Sequence, residues 1–410
     1  MSTLLKNAVL LDANWNNVPM DILVEGRTIA AVGKDLGNAD VTIDLSGYTV
    51  LPGFIDAHVH VAVDDNAFKE DAIRAWAYNG VTTVRELGML SQLPQKEYSA
   101  WIQKVNQQPE TAKVIATGKY IDVAGGYGAG PNPTHPVGNL VTTPEEAADA
   151  VTEAHQLGFP GIKIGIHDGR MDTTPHISSE MAQAVCDRAA FHGMWVASHI
   201  GICRGANFML NAGVCELAHT PSDPMSNEMI ADMVKKGIVM DTTVGDPDKA
   251  MEPPPGMDLP GGPGGPGGPG GPGGAPMGPP PGMPQMDPAE KRKQWQVMVD
   301  NLGRYYKAGG KIVVGTDLIH SRDFMRDAVI PVPELKALTS VGLTVQDAIK
   351  AGTIAAAEVV GTGAEEGLIE AGRLANLIAV PGLVDESFAA LNRENVKLVL
   401  HYGAIIRNEL

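Results

Sequence analysis

From residue 53 to residue 317 the chain repeats one pattern, a short apolar run followed by a longer amphipathic segment, and that alternation restricts the fold to a parallel α/β domain. The apolar runs fall at 53–60, 81–86, 113–118, 161–165, 195–200, 215–219, 238–244 and 311–317. Eight parallel strands are the number that closes a barrel, so the expected fold class is α/β, a (β/α)8 TIM barrel over residues 53–365. The segments between carry helix signals of their own. Thr143, Pro144 and Glu146 stand at N-cap, first-turn and capping-box positions; Ala147, Ala150, Val151, Ala154 and Leu157 follow at helical spacing, and Gly158 can close the end. Met181, Val185 and Ala189 repeat the stripe after Ser178. Such stripes build core and carry no chemistry.

The two ends read differently. Residues 4–11, 21–24, 28–32, 41–45 and 48–51 are short β-rich runs with Gly26, Gly33, Gly37 and Gly47 between them, and 367–380 and 396–406 again read as strands. Chain ends commonly lie close together. Segments 1–52 and 366–410 are therefore expected to form the two halves of a small β-sandwich beside the barrel. Segment 253–288 is dominated by Gly-Gly-Pro triplets from Gly261 onward, which lack both the apolar residues to pack and the propensity for helix or strand, so disorder is expected. Glycine at every third position also fits collagen, although so short a run would need three chains in register. The insertion follows the seventh strand and emerges where the strands end. A mobile cover or tether and a neutral expansion are both open readings.

Composition closes off several function classes. With 44% hydrophobic residues in 410, the chain can bury a large core. Its three cysteines, Cys186, Cys203 and Cys215, are too few and too scattered for a disulfide framework or a cysteine-rich zinc site. The 31 basic and 48 acidic residues give a formal charge of −17, which disfavours phosphate backbones and anionic lipid, so neither nucleic acid nor membrane is an expected partner. No stretch approaches the roughly 18 apolar residues of a membrane helix. Residues 1–11 lack the basic start and apolar run of a secretion signal, so cytoplasm is the expected location.

The chemistry concentrates at the strand ends. In Pro52-Gly53-Phe54-Ile55-Asp56-Ala57-His58-Val59-His60, residues two apart share a face of the strand, so His58 and His60 project together into the barrel while Val59 points to the helices. Paired imidazoles at that spacing suit a divalent metal such as zinc. The plainer alternative is two histidines at a strand end by chance. Later strands, however, carry one polar side chain each near the same rim: Lys163 in Gly-Ile-Lys-Ile-Gly, His199 in Val-Ala-Ser-His, His219 in Glu-Leu-Ala-His and Asp317 in Val-Val-Gly-Thr-Asp. The C-terminal strand ends are where barrel enzymes build their active sites.

That order resembles the amidohydrolase superfamily, in its subtype with two metals: a paired His-x-His after the first strand, a lysine on the fourth, histidines on the fifth and sixth, and an aspartate on the eighth. The turn from Asn79 to Gly88 resembles the branch that holds Xaa-Pro and Xaa-Arg dipeptidases and imidazolonepropionase. The resemblance implies that His58, His60 and Asp317 hold one ion, His199 and His219 the other, and Lys163 bridges both as a carbamate. An ammonium would repel two dications, whereas a buried lysine of depressed pKa exposes an amine able to react. It implies further that a water between the metals becomes the nucleophile, with Asp317 moving its proton to the leaving nitrogen, and that the chain, like many relatives, assembles as a homo-oligomer. Two positions depart from the pattern, Thr220 where many relatives have glycine and Asn376 where an aspartate is usual.

The substrate is less legible. Tyr127 and His135, in a Gly/Pro-rich loop on the rim, are candidates to contact a small molecule, and Arg204 is a candidate anchor for a carboxylate; loop packing and an ion pair with a neighbouring acid are the respective alternatives. His167 and His320 are candidate supports for the ligands. The function expected is hydrolysis of an amide or peptide C–N bond. Ring opening of a cyclic amide or lactone, or a scaffold without catalysis, remain the alternatives.

Overall fold

The structure, a computed structural model, describes residues 2–11, 17–62, 68, 70–89, 91–129, 137–167, 171–246, 287–319 and 327–410. Its two ends are joined by pairing. Strands β1 (Ser2–Leu11), β2 (Asn17–Glu25), β3 (Thr28–Gly33), β4 (Val41–Asp44) and β5 (Tyr48–Pro52) come from one end. After eleven strands of a central domain, the last three strands are β17 (Leu377–Pro381), β18 (Leu398–His401) and β19 (Ala404–Asn408). They form one eight-stranded sheet in the order β19-β18-β17-β5-β1-β2-β3, with β4 against β1. The seam is the antiparallel register of β5 and β17, from Tyr48 opposite Pro381 to Pro52 opposite Leu377. Leu5, Ile22, Val24, Ile29, Val50, Leu377, Leu398 and Leu400 make a core from both ends of the chain. Each buried aliphatic side chain of this size contributes roughly 1.5–3 kcal/mol, so neither terminal segment is an independent appendage.

Two details differ from the sequence reading. The run expected at 367–380 is strand only from Leu377 onward, because Gly367 and Gly372 turn at φ 91° and 90°. The run at 396–406 is two strands, with a turn at Tyr402 (φ 49°) and Gly403 (φ 75°).

The central domain supplies the parallel strands: β6 (Phe54–His60), β7 (Val81–Glu86), β8 (Lys113–Ala116), β11 (Gly161–Gly165), β12 (Trp195–His199), β13 (Glu216–Leu217), β14 (Val239–Asp241) and β15 (Lys311–Val313). Two short strands, β9 (Ile121–Asp122) and β10 (Asn139–Leu140), pair with each other after the third. The eighth expected strand is split. β15 pairs with β14, the chain then bends through Gly315 to Asp317, and β16 (Leu318–Ile319) pairs with β6. Glycine is required at 315, since a Cβ there would lie 2.7 Å from the His58 Cβ. Among the described residues the ladders form two arcs, β11-β12-β13-β14-β15 and β16-β6-β7-β8, with no ladder from β8 to β11. The architecture is a mixed α/β, barrel-like ring.

Helices pack around it, among them Glu70–Tyr78, Pro144–Gln156, Ser179–Phe191 and Pro288–Lys307. Thr143 caps its helix as the sequence implies, accepting from the Glu146 N–H at 3.2 Å, while the Glu146 carboxylate reaches one residue further back, to the Thr142 N–H at 2.7 Å. Ser178 caps the next helix from the Met181 N–H. Outward strand residues meet these helices: Ile55 and Ala57 of β6 pack on Ala356, Ala357 and Val360. The alternate positions, Asp56, His58 and His60, are thereby left to the interior. Most of the glycine-rich segment 253–288 lies outside the described residues, and Asp287 and Pro288 open the helix that follows it. No helix among the described residues is long and apolar enough to cross a membrane.

Candidate metal centre

His58, His60 and Asp317 meet at the rim. The Asp317 Oδ1 lies 3.3 Å from His58 Nε2 and 3.1 Å from His60 Nε2, and one ligand atom from each of the three fits within 4.8 Å of the others. The aspartate reaches this point through an unusual backbone. It adopts φ 56°, in the left-handed region, and its N–H donates to the His58 carbonyl at 2.7 Å. Asp56, buried two residues before His58, secures the bend: its carboxylate accepts from the Thr316 N–H at 3.0 Å and the Thr316 hydroxyl at 2.7 Å.

The imidazoles are oriented from behind. His58 Nδ1 donates to the Ala218 carbonyl at 2.9 Å, which leaves Nε2 buried, without a hydrogen-bond partner among the described residues and turned toward Asp317. His60 Nδ1 lies 3.1 Å from Glu86 Oε1. Glu86 is itself held by the Val61 and Ala62 N–H groups and the Tyr98 hydroxyl. An acceptor behind the distal ring nitrogen is the usual support for a metal-bound histidine.

A second imidazole pair stands beside the first. His199 Nδ1 and His219 Nε2 approach to 2.7 Å, His219 Nδ1 lies 3.0 Å from the Thr243 hydroxyl, and the His58 and His219 rings are 5.0 Å apart. Tyr127 stacks on His199 with ring centroids 3.7 Å apart. Lys163 is completely buried on β11, its Nζ has no hydrogen-bond partner among the described residues, and it lies 5.8 Å from the Tyr120 ring centre.

Burial and neighbouring charge set the protonation. Burial, followed by the nearby Lys163 for His58 and by His219 for His199, pushes both imidazoles well below their ordinary value. Burial likewise lowers His219. These rings are neutral and keep a lone pair for a cation. Burial also opposes the charge on His60, but its bonds to Asp317 and Glu86 prevail and raise it to about 9. Asp317 is held well below the usual carboxylate range, burial notwithstanding, by His58 and His60. Burial lowers Lys163 to about 8. A chelating set with an orphaned imidazole nitrogen, an orphaned amine and an ionised carboxylate suits divalent cations.

The remaining candidates are placed less centrally. Arg204 forms a two-pronged pair with Asp172 at 2.7 and 2.8 Å, both side chains more than half exposed. His167 packs edge-on against Tyr127. His135 and His320 lie outside the described residues. Of the two departures, Thr220 bridges the carbonyls of Asp241 and Thr242, and Asn376 joins Glu366 to the Tyr402 N–H. Sequence reasoning passed over Asp56, Glu86 and Thr243 as parts of the site. The signal available was an acidic residue ending the second strand run, in Val-Thr-Thr-Val-Arg-Glu.

A family model described as the amidohydrolase family matches residues 49–406. A Bacillus subtilis dihydroorotase is 35% identical over 120 residues, a match covering 28% of this chain and 28% of the relative. Among solved structures, a prolidase complexed with N-methylphosphonate-L-proline superposes over 100% of both chains at 21% identity and TM-score 0.77. A Xaa-Pro dipeptidase with methionine bound in the active site does so over 99% of both, at 22% identity and TM-score 0.75.

Proposed function

Because the chain belongs to the amidohydrolase family, matched across residues 49–406, we propose that it is an enzyme that hydrolyses an amide or peptide C–N bond in a small substrate of the dipeptide or N-acyl amino acid kind. The observation that carries this reading is the buried, unpartnered Lys163 amine in the interior that the four histidines and Asp317 share. His58, His60 and Asp317 would hold one divalent ion and His199 and His219 a second, with zinc the first candidate. Lys163, lowered to about 8 by burial, is roughly one-tenth neutral at pH 7, far more than an ordinary lysine. Addition of that amine to carbon dioxide, forming a C–N bond and releasing one proton, would give a carbamate, and Lys163 in that form would supply an anionic ligand to the site.

When bound, the cations supply an acidified water and a polarised substrate carbonyl. The protein does the rest. Asp317, ionised and 37% exposed at the rim, accepts the proton of the attacking water and returns it to the leaving nitrogen. His60 stays oriented through Glu86, and His58 through Ala218. Tyr127, stacked on His199, offers one wall to a bound molecule.

The solved prolidase and Xaa-Pro dipeptidase put dipeptides first among substrates to try. The match to a dihydroorotase supports cyclic amides as the second class. The test is hydrolysis of dipeptides, N-acyl amino acids, cyclic amides and lactones by metal-loaded protein. Turnover of none of them, in protein binding fewer than two ions, would leave a scaffold as the answer. Asp317→Asn should lower turnover by roughly 10²–10⁴-fold, the scale of a lost proton shuttle, while circular dichroism shows the fold retained.

A further inference from the structure

Interior layers of a barrel are ordinarily filled by branched apolar side chains. Here Arg85, Lys163 and Asp241 have no exposed surface and Glu216 is 2% exposed. By strand register Lys163 lies beside Ala197, and Ala197 beside Glu216, one layer below His199. Lys163 has a part in the proposed metal centre; the other three do not.

We infer that Arg85 and Glu216 are positioning residues, a spoke across the barrel that sets the separation of the two imidazole pairs. The inference rests on the metal-centre reading above. Arg85 projects from β7 and meets residues of three ligand-bearing strands. Its Nε donates to the carbonyl of Ala57, the residue before His58, at 2.6 Å. Its two terminal nitrogens grip both oxygens of Glu216, one at 2.9 Å, and Glu216 lies on β13 three residues before His219. The guanidinium stands 4.8 Å from the ring of Trp195, which begins the strand that ends in His199. Gly161, on the strand that bears Lys163, leaves room for that ring, since a Cβ there would run into it. Arg85 also lies 3.6 Å from Asp241, whose other oxygen is 3.5 Å from His58 Nδ1.

Among the described residues no ladder joins β8 to β11. At the other junction backbone bonds do cross, from the Ala57 N–H to the Val314 carbonyl at 2.9 Å and from the Asp317 N–H to the His58 carbonyl at 2.7 Å. Such bonds fix neighbouring strands around the ring, whereas a planar fork that binds a carboxylate through two parallel bonds spans its interior between β7 and β13, and does so rigidly.

The test replaces the pair together, so that no unpaired charge is left buried. In R85M/E216M, circular dichroism and a cooperative melt establish folding. Zinc titration followed by calorimetry then reads stoichiometry and affinity, and the visible spectrum of the cobalt(II) form reads ligand geometry. Wild-type protein should take two ions. The folded double variant should bind the second about 10–100-fold more weakly, as when an outer support of a metal ligand is lost, and its cobalt spectrum should shift. Two ions at wild-type affinity with an unchanged spectrum would overturn the spoke. If the double variant does not fold, Glu216→Gln, which keeps the volume and weakens the grip, decides by the same two outcomes. Wild-type protein that binds no pair of ions overturns the metal-centre reading instead, a distinguishable failure.

Discussion

At the scale of single residues, the centre depends on groups whose burial fixes their charge. Lys163 is the plainest case, because an amine with no partner and no exposure is costly unless another group completes it. Lys163→Ala should lower bound metal and activity together while the fold persists, and a small added carboxylic acid should restore part of both. Full activity in the variant without any rescue would remove Lys163 from the chemistry. His60 gives a second prediction. In ion-free protein it is held at about 9, so it is protonated near pH 7.5. An ion claiming Nε2 must displace that proton, and metal binding should release protons below about pH 9 and cease to release His60's share above it. Calorimetry in buffers of different ionisation enthalpy measures this. A binding heat independent of buffer would contradict the assignment.

At the scale of elements, local signals and distant ones separate cleanly. The Thr143 cap was legible because the cap and the N–H it accepts lie three residues apart. Its removal in Thr143→Ala should cost about 1 kcal/mol in a denaturant melt. Glu334 was not legible. From the helix Val332–Ser340 it accepts the N–H groups of Val244 at 3.1 Å and Gly245 at 2.6 Å, across about ninety residues, and so ties down the chain after β14. Burial raises this carboxyl to about 7. A raised acid stabilises the folded state fully below its unfolded pKa, here near 4.5, and loses that contribution as pH rises through about 7. Glu334→Gln retains only one carbonyl oxygen for two donors. It should be less stable than wild type at pH 5, by on the order of 1–3 kcal/mol, and the gap should narrow by pH 8. A gap constant with pH would show that Glu334 does not titrate in this range.

At the scale of the whole molecule, ions bound only by the folded chain add to its stability through mass action. A site filled at 100 times its dissociation constant contributes about 2.7 kcal/mol. Chelation should therefore lower the melting temperature by several degrees, and zinc should restore it. A melting curve indifferent to both would mean that no ion is bound specifically. The terminal sheet belongs to the same scale: strands from residues 2–52 and 377–408 share one core, so that sheet is complete only when both ends are in place.

By itself the sequence determined the α/β alternation, the shared face of His58 and His60, and the order in which lysine, histidines and aspartate arrive at the rim. Those follow from periods of two and 3.6 residues and from turn chemistry, all short-range properties. Tertiary structure alone decided the split of the eighth strand at Gly315 to Asp317, the pairing of Arg204 with Asp172, and the charged layer in which Arg85 meets Glu216 from 131 residues away. Which buried charges face one another depends on the radius and closure of the ring, and no local period encodes either.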